Sequence, residues 1–198
     1  MKEFLAQKFS HFEINDFSPR GSLGGAFTTF FSWALPALLF VLWAETYHPE
    51  VDFYKAAIRE GLGPNLWNAL GSLGIFAFGI AVVFSTLHTP AKIAKQILSN
   101  TYAIGCLTFG LLVGHWYLLP TDDLLWWQRG LFGAISGFFL ILLFIYNFSV
   151  WYLGFLILDA SGNKSSFLLK LEEMHWIWKI SIGLVVSVLI TLIFLTVI

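Results

Sequence analysis

The sequence predicts an all-α, polytopic integral membrane helix bundle, with about five transmembrane helices plus short amphipathic interfacial helices. The first observation behind this is composition. Of 198 residues, 58% are hydrophobic and 12% charged, and the mean hydropathy is +0.76. An average soluble domain carries roughly 25% charged residues, so this chain has too little polar surface to remain folded in water. The second observation is spacing: apolar runs of near membrane length recur along the chain, separated by short polar stretches rich in Pro, Trp and Tyr. A hydrocarbon core of about 30 Å needs roughly 20 helical residues to cross it, and the runs match.

Residues 1–22 form a polar and aromatic arm ahead of the first run, on the cytoplasmic or interfacial side, and residues 23–198 form a single transmembrane bundle. The arm lacks the compact apolar core and small-residue cleavage site of a signal peptide, so it stays in the mature chain. Phe4, Phe9, Phe12 and Phe17 beside Lys2 and Lys8 suit an arm resting on headgroups.

The first span covers residues 23–44 and contains Pro36, where a kink is expected because proline removes a backbone donor. Val51, Tyr54, Ile58 and Leu62 then repeat at helical spacing, as in a short helix lying on the surface. The second span, 66–87, is rich in Gly and Ala, which let membrane helices approach closely. His88, Thr89 and Pro90 close it, and residues 91–100 read as a short basic connection.

The third span, 101–119, carries Gly110 and Gly114 as a G-x-x-x-G packing face. His115 lies off that face, about 6 Å inside the end of the span, beside Trp116 and Tyr117. From Leu124 to Leu158 the chain is almost wholly apolar; as one helix it would extend about 52 Å, so it must tilt, protrude or break. The span itself is placed at 131–153, with Trp126, Trp127 and Arg129 at one interface and a second packing face at Gly133 and Gly137. Asn147, deep in this span, suits a helix-to-helix hydrogen bond. Phe167, Leu168, Leu171 and Met174 mark a further amphipathic helix, and a β-branched fifth span covers 177–198 as a lipid-facing anchor.

Orientation follows from the lysines and arginines. Lys2, Lys8, Arg20, Lys92, Lys95, Lys164, Lys170 and Lys179 fall on one side, and Lys55, Arg59 and Arg129 on the other. The positive-inside rule puts the N-terminus in the cytoplasm and the C-terminus outside, in a bacterial inner membrane.

Several function classes are excluded or disfavoured. A net charge of −1 offers no basic surface to nucleic acid, and the lone Cys106 excludes both an internal disulfide and a multi-cysteine metal site. No metal site and no catalytic residue is assigned, since the nucleotide-loop, zinc-hydrolase and serine-elbow motifs are all missing. The first expectation is therefore a non-catalytic integral membrane subunit or assembly partner of a larger membrane complex, whose partners are the bilayer and other membrane subunits or further copies of the chain.

The alternative is a redox subunit binding b-type haem or quinone near His115. His48 and His115 group near one face, His88 and His175 near the other, and paired imidazoles at two depths are what two haems would require. Against it, histidines at span ends more often serve as interfacial hydrogen-bonders. A small permease or channel ranks third, because no Asp, Glu, Lys or Arg lies deep in a span and no repeat of matching halves is visible.

Overall fold

A computed structural model describes residues 12–19, 22–48, 64–119, 121 and 123–196, with side chains placed in this range except at 64, 65, 67, 68 and 189–196. The surface helix expected over 51–62 and the first part of the arm lie outside the described residues. Those that are described form helices: α1 (Leu23–Tyr47), α2 (Pro64–Val83), α3 (His88–Tyr117), α4 (Trp126–Ile157), α5 (Ser166–Glu172) and α6 (Trp176–Thr196), preceded by a 3-10 turn at Ile14–Phe17. The one extended pairing among them is an isolated bridge between Leu158 and Lys164.

Among the described residues, three helices are long and apolar enough to cross a membrane: α1, α3 and α4. Their most apolar windows differ sharply in burial, at 22%, 50% and 6% respectively. Of these three, α3 is the most buried and α4 the most exposed. The remaining two long helices are apolar over the shorter stretches Ala69–Val83 and Trp176–Val188.

Two boundaries differ from the sequence reading. Helix α2 stops at Val83 and the chain turns through residues 84–86, so His88 opens α3 instead of closing the preceding span. Residues 91–100 are the first turns of α3, not a connection. Ala91, Ala94 and Leu98 have no exposed surface, and their helical spacing gives the segment a buried face despite its lysines. Pro90 sits in the first turn, where its missing N–H would have had no intrahelical partner anyway. Helix α1 continues through Pro36, and α4 is unbroken for 32 residues, which at 1.5 Å per residue is about 48 Å. Breaking is thus excluded as the way α4 accommodates its length.

The chain divides into two compact units. The first comprises Met1–Gly24, Leu70–Ser99 and Val150–Ile198. In it α2 and α6 run antiparallel through a close crossing: a Cβ on Gly79 would overlap the Ser187 hydroxyl and lie 3.1 Å from the Gly183 carbonyl, and one on Gly183 would lie 3.0 Å from the Gly79 carbonyl. Two facing glycines are what bring two helix backbones this near. The sequence reading of α6 as a featureless anchor missed this face.

Three lysines of the same unit close helix C-termini. Lys95 Nζ donates to the Leu158 carbonyl just beyond α4 at 3.2 Å, Lys164 Nζ to the Thr86 carbonyl beyond α2 at 2.9 Å, and Lys179 Nζ to the Glu172 carbonyl at the end of α5 at 2.9 Å. Carbonyls at a helix end lack intrahelical donors and carry the negative end of the macrodipole, so an ammonium group satisfies both. Helix α5 starts equally well defined: the Ser165 hydroxyl accepts from Leu168 N at 3.1 Å, and Phe167, Leu168 and Leu171 are buried. Between α4 and α5 the chain reverses through Gly162, whose φ of 82° is a left-handed conformation that suits glycine.

The N-terminal arm docks on α5. Phe12, Phe17 and Phe167 form a ring cluster with centroids 5.5 to 5.9 Å apart, the Tyr152 hydroxyl donates to the Phe17 carbonyl at 2.7 Å, and Lys170 pairs with Asp16 at 2.6 Å. The hydrogen bond from Lys170 holds the Asp16 carboxyl below its usual range, with help from the Glu13 backbone N–H. A carboxyl lowered in this way favours the docked arm above its unfolded pKa, and the contribution is lost as pH falls through the lowered value. A partly exposed pair of this kind contributes about 0.2–1 kcal/mol. Protection of the amides over residues 12–19 from exchange, taken relative to the unstructured rate at each pH, is therefore expected to be highest at neutral pH and to fall below about pH 4. Lys170→Ala should make exchange faster at neutral pH and flatten that dependence; an unchanged profile in the variant would assign the docking to the phenylalanines alone.

The second unit comprises Gly25–Ala69 and Asn100–Ser149. Here α1 and α3 run parallel: Tyr102 lies by Ala26, Gly110 by Ala34 and Gly114 by Val41. Helix α4 is antiparallel to both, with Phe144 beside Phe109 and Phe30, and Phe148 beside Phe27. Ala37, Val41, Ala44 and Leu111 fill the core, flanked by Leu107 and Leu118. Small residues on α1 meet the glycines of α3, and aromatic rings take up the wider gap to α4.

Candidate functional site

The polar groups that a site would need are few, and most sit on or beside α3. Its buried face brings Tyr102, Cys106 and Gly110 into one stripe at four-residue spacing. The Tyr102 hydroxyl donates to the Ala26 carbonyl of α1 at 3.0 Å. From α4, the Asn147 amide nitrogen donates to the Tyr102 carbonyl at 3.3 Å and to Cys106 Sγ at 3.2 Å. The helix-to-helix bond expected of Asn147 is thus made to α3. A carbonyl as partner fixes which way the amide faces, because its oxygen would be repelled there. That leaves the Asn147 Oδ1 atom buried and without a hydrogen-bond partner among the described residues, in a residue only 2% exposed. Chemically the cluster is a helix clamp, with the thiol fully buried in it.

The four candidate histidines lie at helix ends. His48 follows α1 and packs edge-on against Trp43, with ring centroids 5.1 Å apart. His88 is the exposed first residue of α3. His175 is exposed in the turn before α6, where its Nδ1 accepts from Ile177 N at 3.4 Å and its ring lies 6.0 Å from that of Trp176. His115, in the last turn of α3, is half-buried, and its Nδ1 is buried with no hydrogen-bond partner among the described residues. A buried imidazole nitrogen without a partner is uncommon, since burying an unpaired polar atom costs about 1–3 kcal/mol. Among the described residues no group of three or more His, Cys, Asp and Glu side chains has the arrangement of a metal site.

The four glycines singled out in the sequence separate into two pairs. A Cβ on Gly110 would overlap the Ala34 carbonyl and approach the Ala34 Cα to 2.9 Å; one on Gly114 would meet the Val41 Cβ at 2.9 Å. At Gly133 and Gly137 a Cβ would meet nothing within 4 Å. The smooth face of α3 is seated on α1, not on the glycine face of α4.

A cleft of about 210 Å³ opens where α3 ends and α4 begins, lined by Trp116, Tyr117, Thr121, Arg129, Phe132 and Gly133. Arg129 Nε donates to the Leu124 carbonyl at 3.0 Å, and Gln128 Oε1 accepts from Leu125 N at 2.9 Å, tying down the approach to α4. The sequence marked Trp116, Tyr117 and Arg129 as interface residues; that they share a cleft follows from the reversal between α3 and α4, which no periodicity reveals.

No protein family, curated protein or solved structure matches the chain. Fold and site together define the class: a protein that is helical among the described residues, with three helices there suited to crossing a membrane, clamped through buried polar contacts on α3.

Proposed function

We propose that this chain is a non-catalytic, five-span integral membrane subunit that assembles with other membrane proteins or with further copies of itself. The observation that carries this reading is the exposure of α4, a 32-residue apolar helix of which 6% of the most apolar window is buried by the chain itself. Its Gly133 and Gly137 present an open, smooth surface of the kind that membrane helices use to meet. Five spans are supported by the backbones of α2 and α6, which run for 20 and 21 residues, or about 30 Å each. The alternation of helix direction within each unit fits repeated crossing.

A second reading, haem b or quinone bound near His115, is favoured by that residue's buried, unpaired Nδ1. One preparation tests both. The full chain, purified in mild detergent, is expected to be colourless in a reduced-minus-oxidised visible spectrum and to arrive with stoichiometric partner subunits or as a defined oligomer. A b-type haem band that disappears in His115→Ala would overturn the first reading in favour of the second. A colourless monomer without partners and without quinone in its organic extract would remove both.

A further inference from the structure

We propose that the end of α2, the end of α5 and the start of α6 form a binding site for a small monovalent anion, chloride, held by Lys164, Lys179 and Ser85. The site lies within the first unit and does not depend on the number of spans. Two ammonium groups converge on one residue: Lys164 Nζ on the Glu172 carboxylate at 2.8 Å and Lys179 Nζ on the Glu172 carbonyl at 2.9 Å. Lys164 also holds the Thr86 carbonyl at 2.9 Å, which brings the turn after α2 to the same place. The crossing of α2 and α6 agrees. Gly79 faces Gly183, and Gly183 also meets Val83. In an antiparallel pair, Lys179, one helical turn before Gly183, then lies level with Val83, one turn after Gly79 and just ahead of Ser85.

Charge and valence leave this cluster incomplete. Two ammonium groups meet one carboxylate, so one positive charge has no counter-ion among the described residues. Lys179 is 7% exposed and the Lys164 side chain 14%, and charges this far from water are ordinarily paired. An ammonium group carries three N–H donors, of which Lys164 uses two and Lys179 one. Ser85 adds a further donor. It has no exposed surface, and its hydroxyl has no hydrogen-bond partner among the described residues. Surplus donors together with a surplus positive charge call for an anion, and the single uncompensated charge calls for a monovalent one. Burial favours a lone ion, since a lipid phosphate or a protein carboxylate would have to bring its ester or its chain along.

The test is the thermal unfolding midpoint of the full chain in detergent, at fixed ionic strength, as sodium gluconate is replaced by sodium chloride. The expected result is a saturable rise of about 3–6 °C once chloride stands about tenfold above half-saturation, with bromide acting in the same way. Lys179→Met keeps the buried stem, removes the charge and should abolish the rise. Ser85→Ala should raise the half-saturating chloride concentration about fivefold. Equal midpoints in chloride and gluconate would overturn the proposal, as would a rise that never saturates or one that survives in Lys179→Met. Should Lys179→Met fail to fold, the chloride-35 NMR linewidth decides. The unsubstituted protein is expected to broaden the line beyond the effect of detergent micelles alone, and Ser85→Ala to broaden it less; no broadening, or equal broadening by the two proteins, would overturn the site.

Discussion

Gly110→Leu is expected to prevent α1 and α3 from seating, with a loss of about 3 kcal/mol or more. The obstruction is backbone: any Cβ at 110 overlaps the Ala34 carbonyl and comes within 2.8 Å of its carbon, and no rotamer change relieves it. The helices must separate, which disperses the contacts of Ala37, Val41, Ala44 and Leu111 and pulls the Tyr102 hydroxyl from the Ala26 carbonyl. Gly110→Ala should show a smaller effect of the same sign. Gly25→Leu, in α1 where a Cβ meets nothing within 4 Å, is the matched control, with a small gain in helix propensity and no clash. The measurement is the temperature at which the detergent-solubilised protein loses its monodisperse elution peak. Equal midpoints for the leucine variants at 110 and 25 would show that the α1–α3 approach is not this close.

Gly79→Leu is expected to have the second largest effect, about 2–3 kcal/mol. Here the crossing is between α2 and α6, where the Ser187 side chain and the Gly183 carbonyl face the glycine. Part of the obstruction is a small side chain, so Ser187→Ala or Ser187→Gly in the same chain should recover some stability, whereas neither would rescue Gly110→Leu. Without a hydrophobic drive between helices in lipid, packing of this kind carries most of the association. If Gly79→Leu leaves protease sensitivity of the C-terminal helix unchanged, α6 is not held at this crossing. Retained resistance in the Gly79→Leu, Ser187→Gly pair would locate the contact at the serine.

How far all this was legible in the residues differs by scale. Composition and run length are sufficient for an all-helical chain with membrane-length helices, because each depends on summed apolar character and not on any partner. Helix termini were less legible: Pro90 and the lysines at 92 and 95 look like a connection until Ala91, Ala94 and Leu98 are seen to share a buried face. The motif G-x-x-x-G was least informative of all. Gly110 with Gly114 and Gly133 with Gly137 are the same pattern, yet one pair is pressed against α1 and the other is open. A motif states what a surface permits; the neighbour is chosen elsewhere in the chain. The same holds for the candidate site. His115 and Asn147 were visible as polar residues in apolar runs, but that each keeps one buried atom unpaired depends on the helices around it. The cleft required the α3–α4 reversal, which is tertiary.

The lysines bound to helix ends have an electrical consequence. Lys95, Lys164 and Lys179 each lie against carbonyls that bear partial negative charge, while Lys170 faces Asp16 and Lys164 also faces Glu172 at 2.8 Å. Only Lys164 and Lys170 meet a full opposite charge; Lys95 and Lys179, held by neutral carbonyls, keep their unit charge but lose the freedom to reach a ligand at the surface. Attraction to an acidic protein or an anionic vesicle should then fall on the exposed Lys92 and weaken as salt rises, because mobile ions screen exposed charge.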